Sequence, residues 1–145
     1  MAHHYDWSNY LKLAKVILSE IENETGYRNA ISRSYYAAYW QARIVLEMGG
    51  TSVPRTKSHL FVWESYRRVK VPSTGNDIEQ LGNTLHSERL LADYDSRREI
   101  TSYRAKTVVS DAEDLIGWIT SLPDAGRAQA IQQAAVLAQS PSYRV

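Results

Sequence analysis

The chain has 145 residues, a formal net charge of +1 and no cysteine. That length carries one domain with a single hydrophobic core, and the near-zero charge excludes a strong overall field toward nucleic acid or membrane. Without cysteine there is neither a disulfide framework nor a thiolate zinc site.

No apolar run reaches the roughly 20 residues of a membrane span. The N-terminal MAHHYDWSNY lacks the basic start and apolar stretch of a signal peptide, so a cytoplasmic protein is expected. His3 and His4 could hold a metal only weakly and are read as ordinary terminal residues. The cations come in short clusters: Arg67, Arg68 and Lys70, then Arg97 and Arg98, then Arg104 and Lys106.

Apolar periodicity in steps of three and four predicts helices throughout and no strand. In the first, Trp7, Tyr10, Ala14, Ile17 and Ile21 share a face, and Gly26 breaks the pattern. A second helix is predicted from about Tyr27 to Met48. Ile31, Tyr35, Ala38, Ala42 and Val45 form its stripe, which Ala30, Ala37 and Ile44 widen. So apolar a helix belongs at the centre of a bundle, ended by Gly49 and Gly50. Pro54 leads to a third helix from about Lys57 to Val69, with Leu60, Val62, Trp63 and Tyr66 as its contacts. VPSTGND, from Val71 to Asp77, breaks the chain. The fourth helix presents Ile78, Leu81, Leu85 and Ala92. Ser102 is a candidate N-cap for the fifth, whose stripe is Val108, Ala112, Leu115, Ile119 and Leu122. From Pro123 onward an Ala/Gln-rich segment reads as a weakly anchored helix or tail. The expected architecture is all-α: an up-and-down antiparallel bundle of about five helices over 1–122, then an Ala/Gln-rich C-terminal helix or tail over 123–145.

No glycine-rich phosphate loop, Gly-x-Ser-x-Gly elbow or His-Glu-x-x-His motif is present, so no cofactor and no metal is expected. What remains is an ionisable constellation. His86, Arg89 and Asp93 share one face of the fourth helix. Arg33, Tyr36, Trp40 and Arg43 share one on the second, and His59 opens the third. An arginine and a histidine in one crevice can cleave RNA without metal: His59 or His86 carries the proton, while Arg89 and Arg33 hold the phosphate. Asp93 would orient the arginine. A purely structural reading stands beside this one. Arg89 and Asp93 form an ordinary salt bridge between adjacent helical turns, Arg33 pairs with Asp93 across the bundle, and both histidines lie at the surface. Tyr36, Tyr39 and Trp40 read as a subunit interface.

SRSYYAAYWQARIVLEMGG (Ser32 to Gly50), KSHLF (Lys57 to Phe61) and ERLLADYD (Glu88 to Asp95) together resemble the HEPN superfamily, in particular its small stand-alone prokaryotic members. The signature pairs Arg-x-Tyr-Tyr-Ala at Arg33 with a later Arg-x-x-Ala-Asp-Tyr at Arg89, and the resemblance runs from about Trp7 to Leu122. It implies a helical bundle that forms a homodimer and works in toxin–antitoxin, defence or RNA-processing systems, often beside a minimal nucleotidyltransferase. Many members are metal-independent ribonucleases that use an Arg followed, after four to six residues, by a His. Here Arg55 and His59 are one residue too close for that pattern, and Tyr94 stands where a His follows Arg89. The residues matched to the family are Arg33, Tyr35, Tyr36, His59, Arg89, Asp93 and Tyr94. Two functions are therefore expected as alternatives: an RNA-cleaving or RNA-binding effector, or a non-catalytic module bound to a nucleotidyltransferase or another partner and modified on Tyr94.

Overall fold

A computed structural model describes residues 4–71 and 74–143. Met1, Ala2 and His3, and Pro72 and Ser73 of the breaker cluster, lie outside the described residues. Among the described residues six helices follow one another: α1 (Ser8–Glu20), α2 (Glu24–Met48), α3 (Ser58–Ser65), α4 (Ile78–Tyr94), α5 (Ser102–Thr120) and α6 (Asp124–Ala138). The protein is an all-α helical bundle. Among the described residues the one β-type pairing is an isolated bridge between Lys70 and Asp77 that closes the α3–α4 connection. No helix there is long and apolar enough to cross a membrane.

α2 is the hub and packs against all five other helices. Ala30, Ala37, Ala38 and Ala42 are fully buried along it, and side chains that small let neighbouring helices approach on several faces. Its N-terminus is capped by the Asn23 side chain, which accepts from the Gly26 amide at 3.0 Å. Gly26 thus lies in the first turn of α2 rather than in a break. A Cβ there would sit 2.0 Å from the Ile21 carbonyl oxygen, so the α1–α2 turn is this tight because residue 26 has no side chain. At the other end, Gly50 takes a left-handed φ of 93°.

Two further boundaries differ from the sequence reading. α3 stops at Ser65 instead of running to Val69. Its buried side chains are Phe61, Val62, Trp63 and Ser65, while Leu60 points outward. Thr101, not Ser102, caps α5, its side chain accepting from the Arg104 amide at 3.2 Å. Of the two alternatives for the Ala/Gln-rich segment the structure has the helix, and it is firmly rather than weakly anchored. Ala130, Ala134, Leu137 and Tyr143 join the same buried cluster as Ile31, Phe61 and Leu115, and α6 packs on α2 and α3. Its small apolar residues gave little periodic signal because alanine packing against α2 and α3 needs no large side chain.

α3 and α4 approach closely because of one glycine. A Cβ on Gly82 would sit 2.1 Å from the Trp63 ring, so the fully buried indole lies on the bare backbone of α4. Replacing Gly82 by Ala is expected to lower stability by about 1–3 kcal/mol through overpacking, with helical content kept. Thermal unfolding followed by circular dichroism measures this, and an unchanged midpoint would refute it.

Candidate functional site

One helical turn before Trp63 on α3 stands His59, and one turn after Gly82 on α4 stands His86. The close helix contact therefore brings the two imidazoles together, their centroids 4.8 Å apart and their planes within 3°. α2 closes the third side. The Tyr39 ring stacks on His59 at 4.2 Å and the Tyr35 ring on His86 at 5.4 Å. The Tyr35 hydroxyl is 2.7 Å from His59 Nδ1 and accepts from the Trp63 indole N–H at 3.0 Å. Neither nitrogen of His86 is bonded to another group among the described residues.

Burial pushes the His59 pKa down to about 4, and nearby His86, Arg89 and Arg43 push the same way. Burial, then Arg89, also lowers His86. Both rings are therefore uncharged at neutral pH, the state a proton acceptor needs. Burial raises the Tyr35 and Tyr36 hydroxyls, so both remain protonated donors.

Next to the histidines, Arg89 is built into an aromatic sandwich. Its guanidinium carbon lies 4.8 Å from the Tyr36 ring centre and 5.4 Å from that of Tyr94. Nε donates to Asp93 Oδ2 at 2.8 Å, and Ser32 Oγ donates to the same oxygen at 3.1 Å. The arginine side chain is 12% exposed, whereas Tyr94 as a whole is 71% exposed. Asp93 thus orients Arg89 and offsets much of its charge.

Arg33 is not part of this group. It lies about a third of a turn from Ser32 on α2, and its guanidinium reaches over the Tyr10 ring of α1 at 5.7 Å. The ion pair of Asp93 is with Arg89, not with Arg33. The aromatic residues read as an interface are also largely occupied within the chain. Tyr39 is 2% exposed, and its hydroxyl accepts from Arg43 at 3.1 Å. Trp40 stacks on Trp7 with centroids 4.5 Å apart and lies under Arg43. Tyr36 is half-buried beneath Arg89.

The supporting roles of two residues at the site escaped the sequence reading. Arg28 donates to the carbonyls of Leu91 and Ala92 at 3.1 and 3.0 Å and to that of Arg98 at 2.6 Å. It so satisfies the C-terminal turn of the helix that carries Arg89 and Asp93. Arg28, Ser32 and Tyr35 recur in steps of four and three, and that spacing was the available signal. Trp63 is the other: a buried indole N–H needs an acceptor, and only a buried polar partner such as Tyr35 could supply one.

No protein-family model, no curated protein and no solved structure matches this chain.

The histidines give a pH dependence of definite sign. In the unfolded chain each takes up its proton near pH 6.5; in the fold His59 does so near 4. The unfolded state then binds more protons between those values, so stability is full above about pH 6.5 and falls as the pH drops toward 4. Thermal midpoints across this range are expected to decline less steeply in His59→Gln than in the parent. Parallel curves would contradict the assignment.

Proposed function

We propose that this chain is a HEPN-type effector of a toxin–antitoxin or defence system that cleaves RNA without a metal. The observation that carries the proposal is the pair of uncharged imidazoles from two helices, stacked beside an oriented arginine. Perturbed groups so arranged are typical of acid–base sites. His86, with neither nitrogen bonded to another group among the described residues, is the proton acceptor for the ribose 2′-hydroxyl. Arg89, stacked on Tyr36, aimed by Asp93 and donating from Nη2 to the Tyr94 hydroxyl at 3.4 Å, directs its other N–H groups at the phosphate and stabilises the charge that develops there. Arg33, facing α1, takes no part.

Cleavage by the purified protein is expected to persist in EDTA, to require the 2′-hydroxyl and to spare DNA. Arg89→Ala and His86→Ala are each expected to lower it by about 10²-fold or more with helical content retained. Intact RNA after incubation with the folded parent would sink this reading.

A second reading has its own support. Leu90 is 40% and Tyr94 71% exposed, side by side along a surface groove of about 490 Å³ that Ser87, Leu91 and Arg97 also line. Together with the charge offset of Arg89 by Asp93, this favours a non-catalytic module that presents α4 to a protein partner, by the resemblance a minimal nucleotidyltransferase. Growth arrest on expression that survives Arg89→Ala and His86→Ala but not Leu90→Asp would select it. On either reading the resemblance implies a homodimer, and sedimentation at micromolar concentration is expected to show one; a monomer alone would exclude it.

A further inference from the structure

We infer that Trp63 and Tyr35 form a one-way hydrogen-bond relay that fixes His59 with its proton on Nε2, making it a donor to a ligand oxygen rather than a proton acceptor. The ligand, a phosphoryl oxygen, rests on the RNA reading above; the tautomer does not.

The direction of the relay follows from what each group can do. An indole N–H only donates. Trp63 and Tyr35 are both fully buried, and Trp63 Nε1 lies 3.0 Å from the Tyr35 hydroxyl oxygen, so that oxygen is the acceptor. The same hydroxyl lies 2.7 Å from His59 Nδ1. If Nδ1 carried the proton, Tyr35 would receive two donors. Its own O–H would then have no acceptor, since no other polar group among the described residues is bonded to it. An unmet donor inside the core is costly. The alternative satisfies every group: Trp63 donates to Tyr35, Tyr35 donates to Nδ1, and the neutral ring keeps its hydrogen on Nε2.

A doubly protonated ring would break the relay in the same way, which agrees with the depressed proton affinity of His59. The stacked rings of Tyr39 and His86 cover the faces of the imidazole and use none of its in-plane positions. Nε2 has no bond to the described residues and is not among the sealed polar atoms. His59 is thereby a preset N–H beside Arg89, which suits it to an anionic oxygen, while its neighbour His86 keeps the acceptor role. Tyr35 and Trp63 are positioning residues that act through His59.

The test is a two-bond proton–nitrogen correlation spectrum of the full chain with ¹⁵N-histidine near pH 7, in which the two neutral tautomers give different patterns. The parent is expected to show His59 as the Nε2–H form. Tyr35→Phe, which keeps the ring volume, is expected to move His59 to a tautomer mixture and raise its titration midpoint; Trp63→Phe should do so more weakly. An Nδ1–H pattern in the parent overturns the relay. So does Tyr35→Phe with an unchanged pattern and midpoint. If Tyr35→Phe fails to fold, the parent spectrum still decides. A short RNA with 2′-O-methyl groups throughout, which cannot be cleaved, tests the ligand: it is expected to shift the His59 Nε2 resonance. An Nε2–H ring that this RNA leaves unmoved overturns the assignment to phosphate while the relay stands.

Discussion

The flat approach of the Trp63 indole to the backbone of α4 at Gly82 sets the distance between the two helices that carry the histidines. Any side chain at residue 82 would enter the ring. The helices cross so that moving one turn back along α3 and one turn forward along α4 leads to His59 and His86, whose rings meet in register. The same indole sends its N–H to Tyr35 on α2. One aromatic residue therefore fixes the spacing of α3 and α4, their placement against the hub helix and the bonding of His59. In a closely packed interior such a contact is rigid on average, and for that reason the site is well defined.

A second constraint acts at the far end of α4. The last turn of a helix leaves carbonyls without partners and carries the negative end of its dipole. Arg28 meets both with one guanidinium, reaching two carbonyls of α4 and one of the loop beyond. On the α5 side, Arg104 makes a two-pronged pair with Glu88 at 2.7 Å for each bond. Held from both sides, α4 presents Arg89 and Asp93 to the Tyr36 side of α2 and Tyr94 to solvent. The charges in this region pair off locally, which accords with a chain of almost no net charge.

The fold was legible where large apolar side chains recur. Ile31, Tyr35 and Ala38 on α2 and the Val108 to Ile119 stripe on α5 are buried as the spacing predicts. It was less legible where small residues do the packing: α6 buries alanines, and Gly26 and Gly82 act through the absence of a side chain. A glycine that permits a contact looks, in sequence, like one that breaks a helix. At the site, the shared face of His86, Arg89 and Asp93 followed from helical geometry alone. The pairing of His59 with His86 did not, because it depends on how α3 crosses α4. Arg33 was misplaced for a related reason. Residue spacing gives the angle around α2, but not which neighbour, α1 or α4, occupies that angle.

α3 has only eight residues, enters from a left-handed Lys57 and has no side-chain cap. A helix that short does not persist alone in water. What holds it includes residues far later in the chain. α6 packs on it, the Tyr143 ring meets Phe61 edge-on, the Tyr143 hydroxyl donates to Glu64, and Lys57 Nζ donates to the Ser142 carbonyl at 3.3 Å. The chain leaves the ribosome from its N-terminus, so α1 and α2 can pair while synthesis continues, whereas His59 gains its fixed position only once α6 and Tyr143 have emerged. The paired imidazoles, on which the close contact of α3 and α4 converges, are therefore among the last features of the bundle to take shape.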